Sequence, residues 1–303
     1  MKTIIVGAVA LILATTALAA TPPAGPRTFA TPQEAAQALV DAAEKNDTAA
    51  LLQLFGPAGK DVVESGDPAE DANARAEFAS RAHEELSIEP EPGNPDRATI
   101  VTGANHWPLP IPLVRQDGQW HFDVAQGRTE ILARRIGRHE LTAIDVCRAY
   151  VEAQMEYAAN DREGDGVLKY AQRISSSPGK NDGLYREGRT DNLVPKAFAD
   201  AAAAMFAEGK KPVPYHGYYF HILKAQGPDA PGGASSYVVN GRMFGGFAMV
   251  AYPAQYGVSG IKTFIVNHLG VVYEKDLGPQ TATLARQMKA FNPDKTWKAI
   301  QGE

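Results

Sequence analysis

Cysteine is nearly absent: Cys147 is the only one in 303 residues. An internal disulfide and a cysteine-built metal cage are therefore excluded. A basic excess is also missing, since 30 Lys and Arg stand against 35 Asp and Glu, a formal charge of −5. With Lys and Arg scattered along the chain, no nucleic-acid face is expected. Beyond the N-terminus no apolar run approaches the roughly 20 residues of a membrane span. Catalytic signatures are lacking too. There is no Gly-x-Ser-x-Gly elbow for an acyl-enzyme. No HxH or HExxH spacing points to zinc. Gly232-Gly233 and Gly245-Gly246 are followed by neither a helix start nor a Lys-Ser/Thr pair, which excludes a phosphate loop.

The N-terminus carries an export pattern. Lys2 is followed by an unbroken apolar or small run over 4–14, and Ala17-Leu18-Ala19 supplies the small-x-small site. Cleavage is expected after Ala19 or Ala20, with 1–20 as signal peptide and a periplasmic or secreted destination. The run is too short for a comfortable span. The mature chain loses Lys2 and becomes one unit more acidic. Residues 21–30, rich in Ala, Thr, Pro and Gly, read as a tether. Cys147 shares a helical face with Ile144 and Val151 and is expected as a buried, inert packing thiol.

Residues 31–127 read as one α+β module. Thr31-Pro32-Gln33-Glu34 combines a cap, Pro at the first helical position and a capping-box Glu. Asn46-Asp47 breaks this helix and caps a second over 48–55, which Gly56-Pro57 ends; Asp67-Pro68 opens a third. Pro90, Pro92 and Pro95 read as a loop, and 98–102 as a strand. Pro108, Pro110 and Pro112 alternate with Leu109, Ile111 and Leu113, which permits only an edge strand or an extended segment. Asp117-Gly118 predicts a tight hairpin turn flanked by Leu113-Val114 and Trp120-His121-Phe122. Helices followed by a meander with this hairpin resemble small nuclear-transport-factor-2-like domains, a fold type that often encloses a cavity.

Residues 128–303 read as a long connecting helix and a second α+β module. Ile131, Leu132, Ile136, Leu141, Ile144, Cys147, Val151, Met155 and Ala158 recur at three- and four-residue steps over 128–159, with Gly137 as a candidate kink. A helix is expected over 194–207 and another over 279–291. Strands are expected over 218–224, 246–252, 261–267 and 271–275, joined by a Leu269-Gly270 turn in an antiparallel meander.

Five stretches then stand together: IGRHEL (136–141), DREGDGVLKYAQ (161–172), PYHGYYF (214–220), VNGRM (239–243) and GIKTFIVNHLGVVYEKD (260–276). On these the chain resembles the bacterial family catalogued as domain of unknown function 2950, whose name carries no activity. The long helix, acidic loop, GYYF and TFIVNxxGVVY are also similar to the heads of pseudopilins and pilin-like proteins. That likeness implies a helix packed on an antiparallel sheet. No prepilin peptidase site precedes the helix, and Lys169 stands where such loops often carry Glu, so only the head-like architecture is carried over.

Asp161, Glu163 and Asp165 before Gly166, with the carbonyl of Val167, have the spacing of a calcium loop. Gln172 stands where the bidentate Glu would be, so calcium is expected to bind weakly if at all, and a solvated helix-ending cap is the other reading. His216, His221 and His268 show no short-range ligand spacing. Tyr215, Tyr218, Tyr219, Phe220, Tyr237, Tyr252 and Tyr256 read either as sheet packing or as a ligand- or glycan-facing platform. The leading functional expectation is an exported, non-enzymatic interaction or cell-envelope module with envelope proteins as partners. Two alternatives stay open: a small-molecule binder or hydrolytic enzyme using a pocket in the N-terminal module, and a calcium-stabilised structural module.

Overall fold

The computed structural model describes residues 25–205 and 212–301. The expected signal peptide over 1–20 lies outside the described residues. Helix α1 (Pro32–Glu44) starts as its sequence dictates: Thr31 accepts from the Glu34 N–H, and Glu34 reaches back to the Ala30 N–H. Asp47 caps α2 (Thr48–Phe55) by accepting from the Ala50 N–H. A single turn, α3 (Lys60–Val63), precedes α4 (Pro68–Glu84), whose cap Asp67 accepts from the N–H groups of Ala69 and Glu70.

Two strands follow, β1 (Leu86–Glu91) and β2 (Asn94–Thr102). The stretch expected as a proline loop is thus a hairpin. Pro90 sits on β1, the edge strand, where a missing N–H costs nothing, and the register slips between Pro90 and Glu91. Strand β3 (Trp107–Pro108) pairs β2 at its edge, as the alternating prolines require. Strands β4 (Leu113–Gln116) and β5 (Gln119–Phe122) close on the Asp117-Gly118 turn, both residues at positive φ. The helices cover one face of this sheet. Between them lie Phe29, Leu39, Leu54, Ile100, Leu113 and Phe122, with Phe55 edge-on to Phe122 at 5.2 Å.

Helix α5 (Val124–Ala158) has 35 residues and runs unbroken through Gly137, a length of about 52 Å at 1.5 Å per residue. It belongs to both cores. Its first turns pack on the N-terminal module, where Gly127 is needed because a Cβ there would lie 2.6 Å from the Pro110 carbonyl oxygen. Its later turns bury Ala143, Cys147, Tyr150, Ala153 and Tyr157 in the second core.

Strands β6 (Arg173–Ser175) and β7 (Gly183–Tyr185) form a small parallel pair, and α6 (Lys196–Ala204) follows. The second sheet comprises β8 (Tyr218–Leu223), β9 (Ala248–Pro253), β10 (Lys262–Asn267), β11 (Val272–Asp276) and β12 (Lys298–Ala299). Its order is β12-β11-β10-β9-β8, all antiparallel, the expected meander. Helix α7 (Thr281–Gln287) is shorter than expected and gives way to extended backbone at Met288. Helix α5 covers one face of the sheet and α7 packs on β9 from the other. All of β9 is therefore buried, and it reads as a continuous apolar run, as strands covered on both faces do. Among the described residues no helix is long and apolar enough to cross a membrane.

Candidate functional site

Four exposed cations from separate parts of the chain meet around one cleft of about 1040 Å³: Arg173, Lys224, Arg286 and Lys289. Arg173 closes β6. Lys224 directly follows β8. Arg286 lies in the last turn of α7, and Lys289 lies just beyond it. The apolar part of the wall comes from Ile174, Ala202, Ala203, Met205, Ile222 and Met288. Among the described residues no carboxylate lines the cleft. Arg173 has Asp182 at 3.9 Å. Lys224 donates to Gln172 Oε1 at 3.4 Å, and Arg286 Nε donates to the Tyr252 hydroxyl at 3.3 Å. Neither has a carboxylate within ion-pairing distance among the described residues. A chain of net negative charge thus carries a local positive field, focused by low-dielectric walls.

His221 is nearly buried at the cleft, with Nε2 3.5 Å from the Met288 carbonyl oxygen. Burial pushes its imidazole below the ordinary value, the Met288 carbonyl opposes this, and Lys289 adds to the lowering. The neighbouring hydroxyls hold their own loop. Ser177 donates to Asp182 at 2.8 Å, and Ser176 accepts from the Gly183 N–H at 3.0 Å. Among the described residues no hydrogen bond joins these hydroxyls to His221. The cleft is thus equipped to hold an anion with an apolar body.

A second polar cluster joins the two modules. His216 and Gly217 form a two-residue turn, both at positive φ. A Cβ on Gly217 would lie 2.3 Å from His139 Nδ1. The Gly217 N–H donates to Asp67 at 2.9 Å, and His216 Nδ1 lies 3.4 Å from Glu70. His139 of α5 is buried, donates through Nδ1 to the Ser259 carbonyl at 2.9 Å, and faces Glu70 with Nε2 at 3.7 Å. His139 is the chief reason the Glu70 carboxyl is held down at about 2; burial opposes it, and Arg138 and His216 add to it. Glu140, the next residue of α5, accepts from the N–H groups of Ile261 and Lys262, both at 2.9 Å.

The proposed calcium loop is occupied by the protein's own donors. Asp161 accepts from the N–H groups of Gly164, Asp165 and Gly166. Lys169, its side chain 5% exposed, places Nζ 2.7 Å from Asp165 and 3.5 Å from Glu163. Arg242 reaches Asp165 at 3.1 Å, Tyr157 donates to Glu163 at 3.1 Å, and Val167 donates its N–H to Asp165. Among the described residues no group of three or more His, Cys, Asp or Glu is placed to hold a metal ion.

The three histidines singled out above take different partners: His216 meets Glu70, His221 meets Met288, and His268 packs edge-on to Tyr237 at 5.7 Å. Tyr218, Tyr237 and Tyr252 are at most 1% exposed and belong to the sheet core. Cys147 is fully buried, which pushes its thiol up to about 12. The four cleft cations escaped the sequence reading. They are spread over more than a hundred positions, and only the fold brings them together.

Fold and site define a mixed α+β protein with a basic cleft at the edge of its second sheet. The family model described as "Protein of unknown function (DUF2950)" matches residues 26–300, and the chain belongs to this family. No curated protein matches. No solved structure matches either, so the transport-factor and pilin-head likenesses gain no support.

Proposed function

We propose that this is an exported, non-enzymatic binding module that holds an anionic ligand with an apolar body in the cleft between β6, α6, β8 and α7. The observation that carries this reading is the set of four cations lining one cleft of about 1040 Å³ with no carboxylate among the described lining residues. Keeping like charges together in a chain of formal charge −5 costs free energy, and a bound anion relieves it. The apolar wall adds burial worth about 25 cal/mol per Å². The signal-like N-terminus supports action outside the cytoplasm, where an envelope or secreted partner would be met.

The test is a titration with anilinonaphthalenesulfonate, a fluorescent aromatic sulfonate, over a range of salt. Saturable, salt-sensitive binding is expected. It should weaken by roughly tenfold or more, about 1.4 kcal/mol, in Lys224→Glu/Lys289→Glu. Equal binding by that variant, at an unchanged thermal midpoint, would overturn the reading.

A further inference from the structure

We propose that the ligand of the basic cleft is a two-headed amphiphile, an apolar chain with an anionic group at each end. The proposal rests on the anion-binding reading above and deepens it, by setting how many charges the ligand carries and where they sit. Successive side chains of a strand point to opposite faces of the sheet. Phe220 of β8 points towards α6, its ring 5.2 Å from Phe198, so Ile222 and Lys224 share that face. Arg173 belongs to β6, which packs on α6, and Lys224 reaches the preceding Gln172 at 3.4 Å. Arg173 and Lys224 therefore stand on the α6 side. Tyr219 and His221 point the other way, towards Tyr252, with ring centres 5.6 and 6.2 Å apart. The Tyr252 hydroxyl accepts from Arg286 of α7, and His221 meets the Met288 carbonyl. Arg286 and Lys289 therefore stand on the α7 side. Each side offers one guanidinium and one ammonium, and a single cleft reaches both pairs.

A single anionic group seated on one pair leaves the other pair without a counter-charge. At about 1040 Å³ the cleft has the volume of a drug-sized ligand's site, far more than one carboxylate needs. Its walls also carry apolar surface on both sides, from Ala202, Met205 and Ile222 on the α6 side and Met288 on the α7 side. A chain running through the cleft would lay its methylenes on this surface and deliver one charge to each pair. Joining the two charges makes the second contact intramolecular, so affinity rises above that of either end alone. The gain depends on reach. A chain too short to span the pairs uses only one of them, and a chain longer than the span loses part of the gain. A length optimum is therefore the signature of a two-headed ligand.

The experiment displaces anilinonaphthalenesulfonate from the purified chain with straight-chain α,ω-dicarboxylic acids of eight to sixteen carbons. Their monomethyl esters serve as partners that keep the length and lose one charge. At its best length the diacid should bind roughly tenfold tighter than its ester, about 1.4 kcal/mol. The diacids should pass through a maximum with length, whereas the esters should tighten steadily as apolar burial grows. Arg173→Gln/Lys224→Gln and Arg286→Gln/Lys289→Gln should each abolish the advantage of the diacid. Either variant should still bind the ester, which can use the remaining pair. Should loss of the Tyr252 bond unfold the Arg286 variant, Lys289→Gln alone and the length profile of the wild-type chain carry the test. Diacids that never outbind their esters, or an advantage that survives in either double variant, would overturn the two-headed ligand while leaving the anion site standing. Binding of neither dye nor acids would remove both readings.

Discussion

The two sheets of this chain meet water differently. The N-terminal sheet is covered by helices on one face, so its strands alternate: in β5, Trp120 and Phe122 are buried while Gln119 is exposed. The second sheet lies between α5 and α7, and β9 is buried at all six positions. A half-covered sheet has a whole face on which a ligand could sit. A sheet covered on both faces has only its edges, and the basic cleft lies at one of them. The comparison also separates the fillings. The N-terminal core closes on Phe55 and Phe122, whereas the second module leaves its space outside the core, beside β8.

The largest way to break this comparison is to cut into each core. Phe264 of β10 is fully buried and lies 5.9 Å from Tyr218; Phe122 is 1% exposed. Phe264→Ala is expected at the upper end of the roughly 3–5 kcal/mol typical of such truncations, because its neighbours are held from both sides. Phe122→Ala should fall at the lower end, since the one-sided sheet can relax into the cavity. Urea titration followed by far-ultraviolet circular dichroism and by tryptophan fluorescence reads both. Because α5 runs through both cores, the two probes should report one coincident transition in each variant. Separate transitions would mean that the modules unfold independently and that α5 transmits little.

The next test concerns the contact between the modules. The Glu70 carboxyl ordinarily titrates near 4.5 and is held at about 2 here, with His139 as the main cause. A depressed carboxylate stabilises the fold above its unfolded value, and this contribution disappears as pH falls through the folded one. The stabilisation is therefore complete above about pH 5 and is lost between pH 4.5 and 2. Glu70→Gln should cost about 1–3 kcal/mol near neutrality, mostly by removing the carboxylate that faces the buried Nε2 of His139. The gap between variant and wild type should close in that acid window. A gap independent of pH down to 2 would show that His139–Glu70 is not the pair that matters.

Local rules account for what the sequence disclosed. Caps at Thr31, Asp47 and Asp67, the Asp117-Gly118 turn and the period of α5 depend on neighbours a few residues away, and each element falls where its pattern puts it. The strand through Pro90 was missed because a proline is harmful in a central strand and harmless at an edge, and edge position is a property of the sheet rather than of the segment. Helix α7 was drawn too long because Met288 and Phe291 continue its apolar pattern, while the backbone turns extended at Met288 and that of Phe291 bonds to Ala225 and Gly227 instead. The site was illegible for a stronger reason. Arg173, Lys224, Arg286 and Lys289 share no spacing, and their meeting depends on tertiary contacts of β6, β8 and α7. The acidic loop was legible as a cluster, but not as one already supplied with a cation.

That cation gives the smallest effect. Lys169 interrupts the calcium-loop pattern, and its ammonium lies against Asp165 and Glu163 from a nearly buried stem. An internal lysine does for these carboxylates what a bound ion would do, without the entropy of capturing one. Millimolar calcium should therefore leave the thermal midpoint of the wild-type chain unchanged relative to chelator. Lys169→Met keeps most of the stem's packing volume and removes the charge, so Asp165 retains Arg242 while Glu163 keeps only Tyr157. The midpoint should drop by roughly 2–4 °C, the scale of about 1 kcal/mol in a protein of this size. Calcium should restore part of that drop in the variant alone, because only there are the carboxylates short of positive charge. A calcium shift of equal size in the wild type would mean that the lysine does not occupy the loop, and that Asp161, Glu163 and Asp165 bind the ion beside it.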